Sequence, residues 1–284
     1  MVQGNLVGRI AVVTGATAGI GRYTALGLAR RGALVVVTGR DPARLADTAA
    51  WLKENVPAAQ IEAEQADFTS FAQIRAMAGR IAARHPKLDI LVNNAGMVTT
   101  ARTVTADGYE AIFQANHLAP FLLTHLLLPA LRAAGKARIV TVASRAAHRA
   151  RLDLGDLQLS GGWGVLRAYG RSKLANIMFT YALARRLQNS GVTANCLHPG
   201  LVATRIGNKG LFSGLIWRLA TLFALNSSEG AETSIFAAAA PEMEGVSGQF
   251  LNKKRSARSN RNSYDEAAQE QLWKLSAEMT GIGE

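Results

Sequence analysis

A chain of 284 residues with 49% apolar composition can bury a sizeable core, and it has the length of one large α/β domain or two small ones. A single cysteine, Cys196, excludes an internal disulfide, no Cys/His pattern marks a metal site, and no apolar run reaches the roughly 20 residues of a membrane span. The formal charge of +12 is spread mostly along helical stretches with no nucleic-acid reading motif beside it, so nucleic acid is not an expected partner.

Residues 1–6 are too short and too polar for a signal peptide ahead of the first apolar run, which predicts a soluble, cytoplasmic protein. That first run, 9–14, reads as a strand, and an amphipathic helix over 19–31 follows it. The alternation continues as strand 33–38, helix 42–55, strand 60–66, helix 71–85, strand 89–92 and helix 107–134. It ends as strand 137–143, helix 169–189, strand 193–197, helix 228–240, strand 248–251 and a closing helix over 264–279. Several of these strands are unbroken Val/Ile/Leu runs, the pattern of strands covered on both faces. Repeated β-α-β units imply a Rossmann-type, doubly wound parallel sheet of about seven strands flanked by helices. No linker or repeat interrupts 1–284, so one domain is expected. The long helices over 107–134 and 169–189 could pair across a two-fold axis to make a homo-oligomer.

The turn Thr14-Gly-Ala-Thr-Ala-Gly19-Ile-Gly21 places Gly15, Gly19 and Gly21 between the first strand and the first helix. Glycine permits the tight turn and lets the backbone approach a pyrophosphate closely. The helix that follows offers free N–H groups and a positive dipole end to the phosphates. The turn therefore points to a dinucleotide, with Gly15, Thr17, Gly19, Ile20 and Gly21 as contacts. At the end of the second strand, Val37-Thr38-Gly39-Arg40 holds no carboxylate to grip the ribose hydroxyls of NAD. Arg40 instead presents a planar fork suited to a 2′-phosphate, so the expected cofactor is NADP(H).

Far downstream, Tyr169-Gly-Arg-Ser-Lys173 puts a phenol and an ammonium on one face of a helix. A free phenol has a pKa of about 10, and a nearby ammonium stabilises the phenolate. Tyr169 is the candidate proton donor and Lys173 its tuning group. Ser144, just past the fifth strand, can donate a hydrogen bond where negative charge grows on a carbonyl oxygen.

These motifs together resemble the short-chain dehydrogenase/reductase family over nearly the whole chain. Thr14–Gly21 is similar to its TGxxxGxG turn, Asn93-Asn-Ala-Gly96 to its NNAG element, and Pro199-Gly200 with Thr204 to its PG…T element. Asn116, Ser144, Tyr169 and Lys173 fall where the family has its catalytic Asn-Ser-Tyr-Lys tetrad. The resemblance gives Asn116 a water in the proton relay and gives Lys173 the nicotinamide ribose. It places Asp67 and Phe68 by the adenine, and Asn94, Ala95, Gly96, Pro199, Gly200, Val202 and Thr204 along the cofactor. Tyr169-Gly-Arg-Ser-Lys-Leu-Ala-Asn176, Leu197-His-Pro-Gly200, Ala147-His148 with Asp156-Leu157, and Leu272-Trp273…Ser276…Thr280-Gly281 resemble the retinol dehydrogenase-like branch. The resemblance implies an NADP-dependent alcohol dehydrogenase or carbonyl reductase. A non-catalytic NADP-binding sensor or scaffold is the competing class, but it would have no need for Tyr169 and Lys173.

After Thr204 the chain turns aliphatic and aromatic, with glycines at Gly207, Gly210 and Gly214. A substrate lid is expected over about 203–226, with Leu211, Phe212, Leu215 and Trp217 facing a small hydrophobic alcohol or carbonyl compound. A core or oligomer helix fits the same pattern. His148 could touch substrate. His198 beside Pro199 reads as a backbone-fixing residue, His117 and His125 as packed on a helix, and Cys196 as inert packing. The one dense basic cluster is Lys253-Lys-Arg255 with Arg258 and Arg261, and it could make peripheral contact with a membrane surface.

Overall fold

The computed structural model describes residues 5–200 and 227–283. In chain order the first half contains β1 (Ile10–Val13), α1 (Gly19–Ala29), β2 (Leu34–Gly39), α2 (Pro42–Asn55), β3 (Ile61–Gln65), α3 (Phe71–Arg84) and β4 (Ile90–Asn93). The helix α4 (Ala111–Ala133) follows, with a π-helical stretch at Gln114–Leu118 near its start. Next come β5 (Ala137–Val142), a 3-10 turn at Arg145–Arg149, α5 (Val165–Arg186) and β6 (Val192–His198). The last described elements are α6 (Ser227–Ala239), β7 (Phe250–Asn252), β8 (Arg255–Ser256) and α7 (Glu266–Thr280).

Local chemistry accounts for these boundaries. Val12, Val13, Val35, Val36 and Val37 are β-branched and buried, as suits the interior strands β1 and β2. Asp41 caps α2 by accepting hydrogen bonds from the amides of Ala43 and Arg44, and Pro42 occupies the first helical position, where its missing N–H costs nothing. Two helices depart from the sequence expectation. The fourth begins at Ala111 rather than 107, because the Asp107 carboxylate accepts from the Phe71 amide (2.8 Å) and the Gln114 side chain (2.6 Å). The fifth begins at Val165, a turn earlier than the expected 169, behind Gly164 in extended conformation.

All described strands join one sheet in the order β3-β2-β1-β4-β5-β6-β7-β8. Every pair is parallel except β7 with β8. The sheet thus has eight strands against the expected seven or so, the extra one being a two-residue hairpin partner. Order reverses between β1 and β4, the crevice where such sheets hold ligands outside their strand ends. Helices α1, α2 and α6 cover one face and α3, α4 and α5 the other. Gly27 brings α1 against α6, since a Cβ there would sit 2.3 Å from Ile235 Cδ1.

Helix α4 corrects one expectation. It is long and apolar enough to cross a membrane by composition, but 83% of its apolar window is buried inside the protein, as in a core helix. Helix α7 lies against both α4 and α5. Trp273 of α7 stacks on Phe179 with ring centroids 5.7 Å apart and meets Phe121 edge-on at 5.1 Å. The Arg186 guanidinium lies 4.0 Å from the Trp273 ring centre and pairs with Glu270. With Arg185 it holds the Glu270 carboxyl down at about 2.

His117 links these three helices, joining Asn176 (3.3 Å) and Ser276 (2.9 Å) through its two ring nitrogens. Full burial pushes its pKa down to about 4, from an ordinary 6.5. The unfolded chain therefore binds the proton first as pH falls below 6.5, and stability drains away between 6.5 and 4. Unfolding free energy should drop by about 2 kcal/mol from His117 alone between pH 7.5 and pH 5. Denaturant titrations at the two pH values would show it, and His117→Gln should flatten the difference. An equal slope in the variant would remove His117 from the account.

Candidate active site

The C-terminal ends of β1, β4, β5 and β6 bring the motif residues together. After β1 the chain turns through Gly15 and Gly19, both left-handed with φ of 62° and 55°. A Cβ on Gly15 would lie 2.8 Å from the Ala95 Cα, and one on Gly21 would lie 2.5 Å from the Gly15 carbonyl oxygen. No side chain fits at either place, so bare backbone lines the turn. Ala18 at the head of α1 supplies no capping side chain, which leaves the first amides of that helix without a side-chain acceptor. A diphosphate is the kind of group such a helix end accepts.

The turn after β4 is tied to it. Asn94 donates through its side chain to the carbonyls of Thr14 (2.8 Å) and Gly15 (3.2 Å). The buried Thr14 hydroxyl donates to Val92 O (3.2 Å) and accepts from the amides of Asn94 and Ala95, both at 2.9 Å. Thr14 was expected only as part of the motif, yet it is the joint of the cradle. Its position opening the glycine turn was the available signal.

Arg40 is exposed at the end of β2, and its carbonyl accepts from Gln65 Nε2 at 3.0 Å. The neighbouring Asp41 carboxylate is occupied in capping α2. Arg44 reaches the same corner and donates to Thr17 O at 3.4 Å. It is a second guanidinium that sequence spacing did not single out. Asp67 accepts from the Thr69 amide (2.8 Å) and hydroxyl (2.7 Å), and Phe68 is buried beside it.

Ser144 follows β5 by two residues and caps the 3-10 turn by accepting from the Ala146 amide at 3.2 Å. Its hydroxyl lies near enough to the Tyr169 phenol to lower that group's pKa. Lys173 lies four residues along α5, buried, with its ammonium donating to Val142 O at 2.9 Å. That ammonium is 5.8 Å from the centre of the Tyr169 ring. Gly96 adjoins both groups, for a Cβ there would meet Asn116 Oδ1 at 3.2 Å and the lysine nitrogen at 3.5 Å. Asn116 sits in the π stretch, with its side chain clasping Met97. It accepts from the Met97 amide (2.7 Å) and donates to its carbonyl and to Ser172 Oγ, both at 3.1 Å. Ser172 in turn donates to the Tyr169 carbonyl at 2.8 Å, joining π turn and catalytic helix. The side-chain amide of Asn116 is thus a positioning group; Ser172 stands inside the Tyr169–Lys173 motif without having been given a role, and Met97 lies outside every motif.

The family model for short chain dehydrogenase matches residues 9–210. The chain belongs to the short-chain dehydrogenase/reductase family. Within it the relatives are of the retinol dehydrogenase-like branch. Mouse retinol dehydrogenase 12 is 38% identical over 97% of this chain and 87% of its own. Human polyprenol dehydrogenase is 38% identical over 96% of this chain and 86% of its own. Among solved structures, an uncharacterised protein from Mycobacterium paratuberculosis superposes with a TM-score of 0.81 at 31% identity, covering 98% of this chain and 95% of that one. Membership makes this chain an oxidoreductase that uses a nicotinamide cofactor and a small-molecule substrate.

For a short-chain dehydrogenase the electrostatics depart from the sequence argument in one respect. Tyr169 keeps some solvent contact, yet the surrounding protein pushes its pKa up, and Ser144 pulls it back only in part. Lys173 does not offset that, because burial lowers its own pKa to about 8 and its ammonium is spent on Val142 O. His198 fixes backbone as expected, its Nδ1 accepting from the Gly200 amide at 3.0 Å, and burial holds it at about 4. Burial lifts Cys196 to about 12, the state of an inert thiol. His148 stands exposed on the 3-10 turn with its ring 6.0 Å from Phe250. Val202, Thr204, Leu211, Phe212, Leu215 and Trp217, with the lid they were expected to form, lie outside the described residues. A cavity of about 790 Å³ lies at the opposite end of the strands, beside Arg9, Arg138 and Glu244, and it contains none of the motif residues.

Proposed function

We propose that this enzyme interconverts a hydrophobic alcohol and its ketone or aldehyde with NADP(H), with Tyr169 passing the proton. The observation that carries the reading is the meeting of Ser144, Tyr169 and Lys173 beside a glycine cradle that no side chain could fill. Gly15, Gly19 and Gly21 would hold the diphosphate, Arg40 and Arg44 the 2′-phosphate, and Lys173 the nicotinamide ribose. When bound, the nicotinamide accepts or supplies the hydride. The chain's own part is position and proton. Ser144 orients the substrate oxygen and stabilises charge there, while the Tyr169 hydroxyl delivers or removes the proton. A cationic nicotinamide ring would favour the phenolate, opposing the burial that raises Tyr169 in the free protein.

Arg40 tests the cofactor choice. Arg40→Ala should lower kcat/KM for NADPH by about 10- to 100-fold, the size of a lost charge-assisted hydrogen bond, and leave NADH unaffected. Arg44→Ala should show a smaller loss. Equal efficiency with NADH in the unaltered enzyme would sink the NADP assignment. The hydrophobic substrate rests on the names of the retinol and polyprenol dehydrogenase relatives and on the apolar run 211–225. Along a homologous series of aldehydes, kcat/KM should rise up to about fourfold per methylene until the pocket is full. A flat series would remove the hydrophobic-substrate claim, and cofactor binding with no turnover would remove the catalytic one.

A further inference from the structure

Basic side chains gather on the same end of the sheet as the candidate active site, on its far half from the cofactor cradle. Strand β7 runs parallel to β6, with His198 beside Asn252, so the hairpin that follows projects beyond the C-terminal edge. Its two turn residues are Lys253 and Lys254, both left-handed with φ of 48° and 63°. Two-residue hairpins of this kind ordinarily use Asn or Gly, because a side chain there is strained. Lysine at both positions spends folding energy to present two ammonium groups at the tip. Arg255, Arg258 and Arg261 follow, all exposed.

A second segment joins them. Asn260 donates to the carbonyls of Ala147 (2.6 Å) and Ala150 (2.8 Å), which binds the loop after the hairpin to the 3-10 turn behind Ser144. That turn adds exposed Arg145 and Arg149. Among the described residues, the ion pairs of this group amount to Lys254 with Glu232, at 2.6 Å. The stretch 201–226 cannot supply others, since it contains no Asp or Glu. Nor is this charge placed for the cofactor. Arg40 follows β2, five strands from β7, or roughly 24 Å at the spacing of a sheet.

We infer that this face docks on an anionic phospholipid surface, with the mouth of the active site turned toward the bilayer. A flat, multiply charged lipid plane satisfies many separated cations at once, which a single small anion cannot. Each Lys or Arg near such a surface contributes enough to change affinity about fivefold. The attraction falls off within a Debye length, so added salt weakens it. This docking is independent of the cofactor and substrate assignments above.

Sedimentation of the whole protein with vesicles tests it. Vesicles of equimolar phosphatidylcholine and phosphatidylserine should carry the protein down, and vesicles of phosphatidylcholine alone should not. The triple variant Arg149→Gln, Lys253→Gln and Arg258→Gln should bind the anionic vesicles on the order of 100-fold more weakly. Its NADPH binding and circular dichroism should match the unaltered protein, which shows that it is folded. Equal binding to neutral vesicles, or undiminished binding by the folded triple variant, would overturn the inference. So would no binding to anionic vesicles, and retention of a duplex oligonucleotide in its place would assign the face to nucleic acid.

Discussion

Tyr169→Phe should lower turnover by roughly 10²- to 10⁴-fold, the loss typical of a missing general acid. The substitution keeps the ring and its packing against Ile112, Leu159 and Ala168. It removes one oxygen, the one that faces Ser144. NADPH binding should survive, because the cradle of Gly15, Gly21, Thr14 and Asn94 does not depend on that hydroxyl. Steady-state rates with an aldehyde, beside a fluorescence titration with NADPH, separate the two effects. Turnover near that of the unaltered enzyme would falsify the role of Tyr169, while loss of both signals would mean that the ring supports the cofactor site.

Lys173→Met should do something less intuitive, abolishing most activity while leaving the fold as stable or more so. Burial lowers Lys173 from 10.5 to about 8, so at neutral pH the native state carries a charge that it disfavours. That disfavour amounts to about 3 kcal/mol. Methionine relieves it, and the lost bond to Val142 O returns about 1 kcal/mol of cost. The expected net is a gain of up to about 2 kcal/mol, read from denaturant midpoints, with turnover down on the order of 100-fold or more. The pH dependence gives a second signature. Between about 8 and 10.5 the unfolded chain retains the lysine proton that the native state has released, so the unaltered protein should gain stability as pH rises through that window. The variant should show no such gain. A strongly destabilised Lys173→Met would recast the lysine as a structural residue.

Much of this architecture could be read before any coordinates, and the exceptions have physical causes. The unbroken runs at Val12-Val13 and Val35–Val37 gave away β1 and β2, because a strand covered on both faces has no polar side to dilute the signal. Asp41-Pro42 carries its own helix-start chemistry, with the Asp41 carboxylate accepting from the first amides of α2. The hairpin strand β8 escaped because its turn is built from Lys253 and Lys254, which local rules do not offer for a left-handed turn. The π stretch around Asn116 escaped because its buried residues carry no periodicity of their own over five positions. In the site, spacing found the tyrosine and lysine, whereas the shifts on both depend on burial and on which carbonyl the ammonium reaches. The contacts of Asn116 with Ser172, more than fifty positions away, and with Met97, on another loop, are not encoded by spacing.

Helix α7 lies about eighty residues further along the sequence than the helix that carries Tyr169 and Lys173, yet it packs on that helix's outer side. During synthesis every strand of the sheet is out of the ribosome before Asp265 is, so Phe121, Phe179 and His117 must wait in water for Trp273 and Ser276. The newborn chain is therefore sticky at one defined strip until Trp273 and Ser276 emerge. A premature stop after Ser263 would leave the tetrad complete in sequence and that strip permanently bare. Such a protein would be lost to aggregation or to chaperone retention before any defect in its chemistry could be measured.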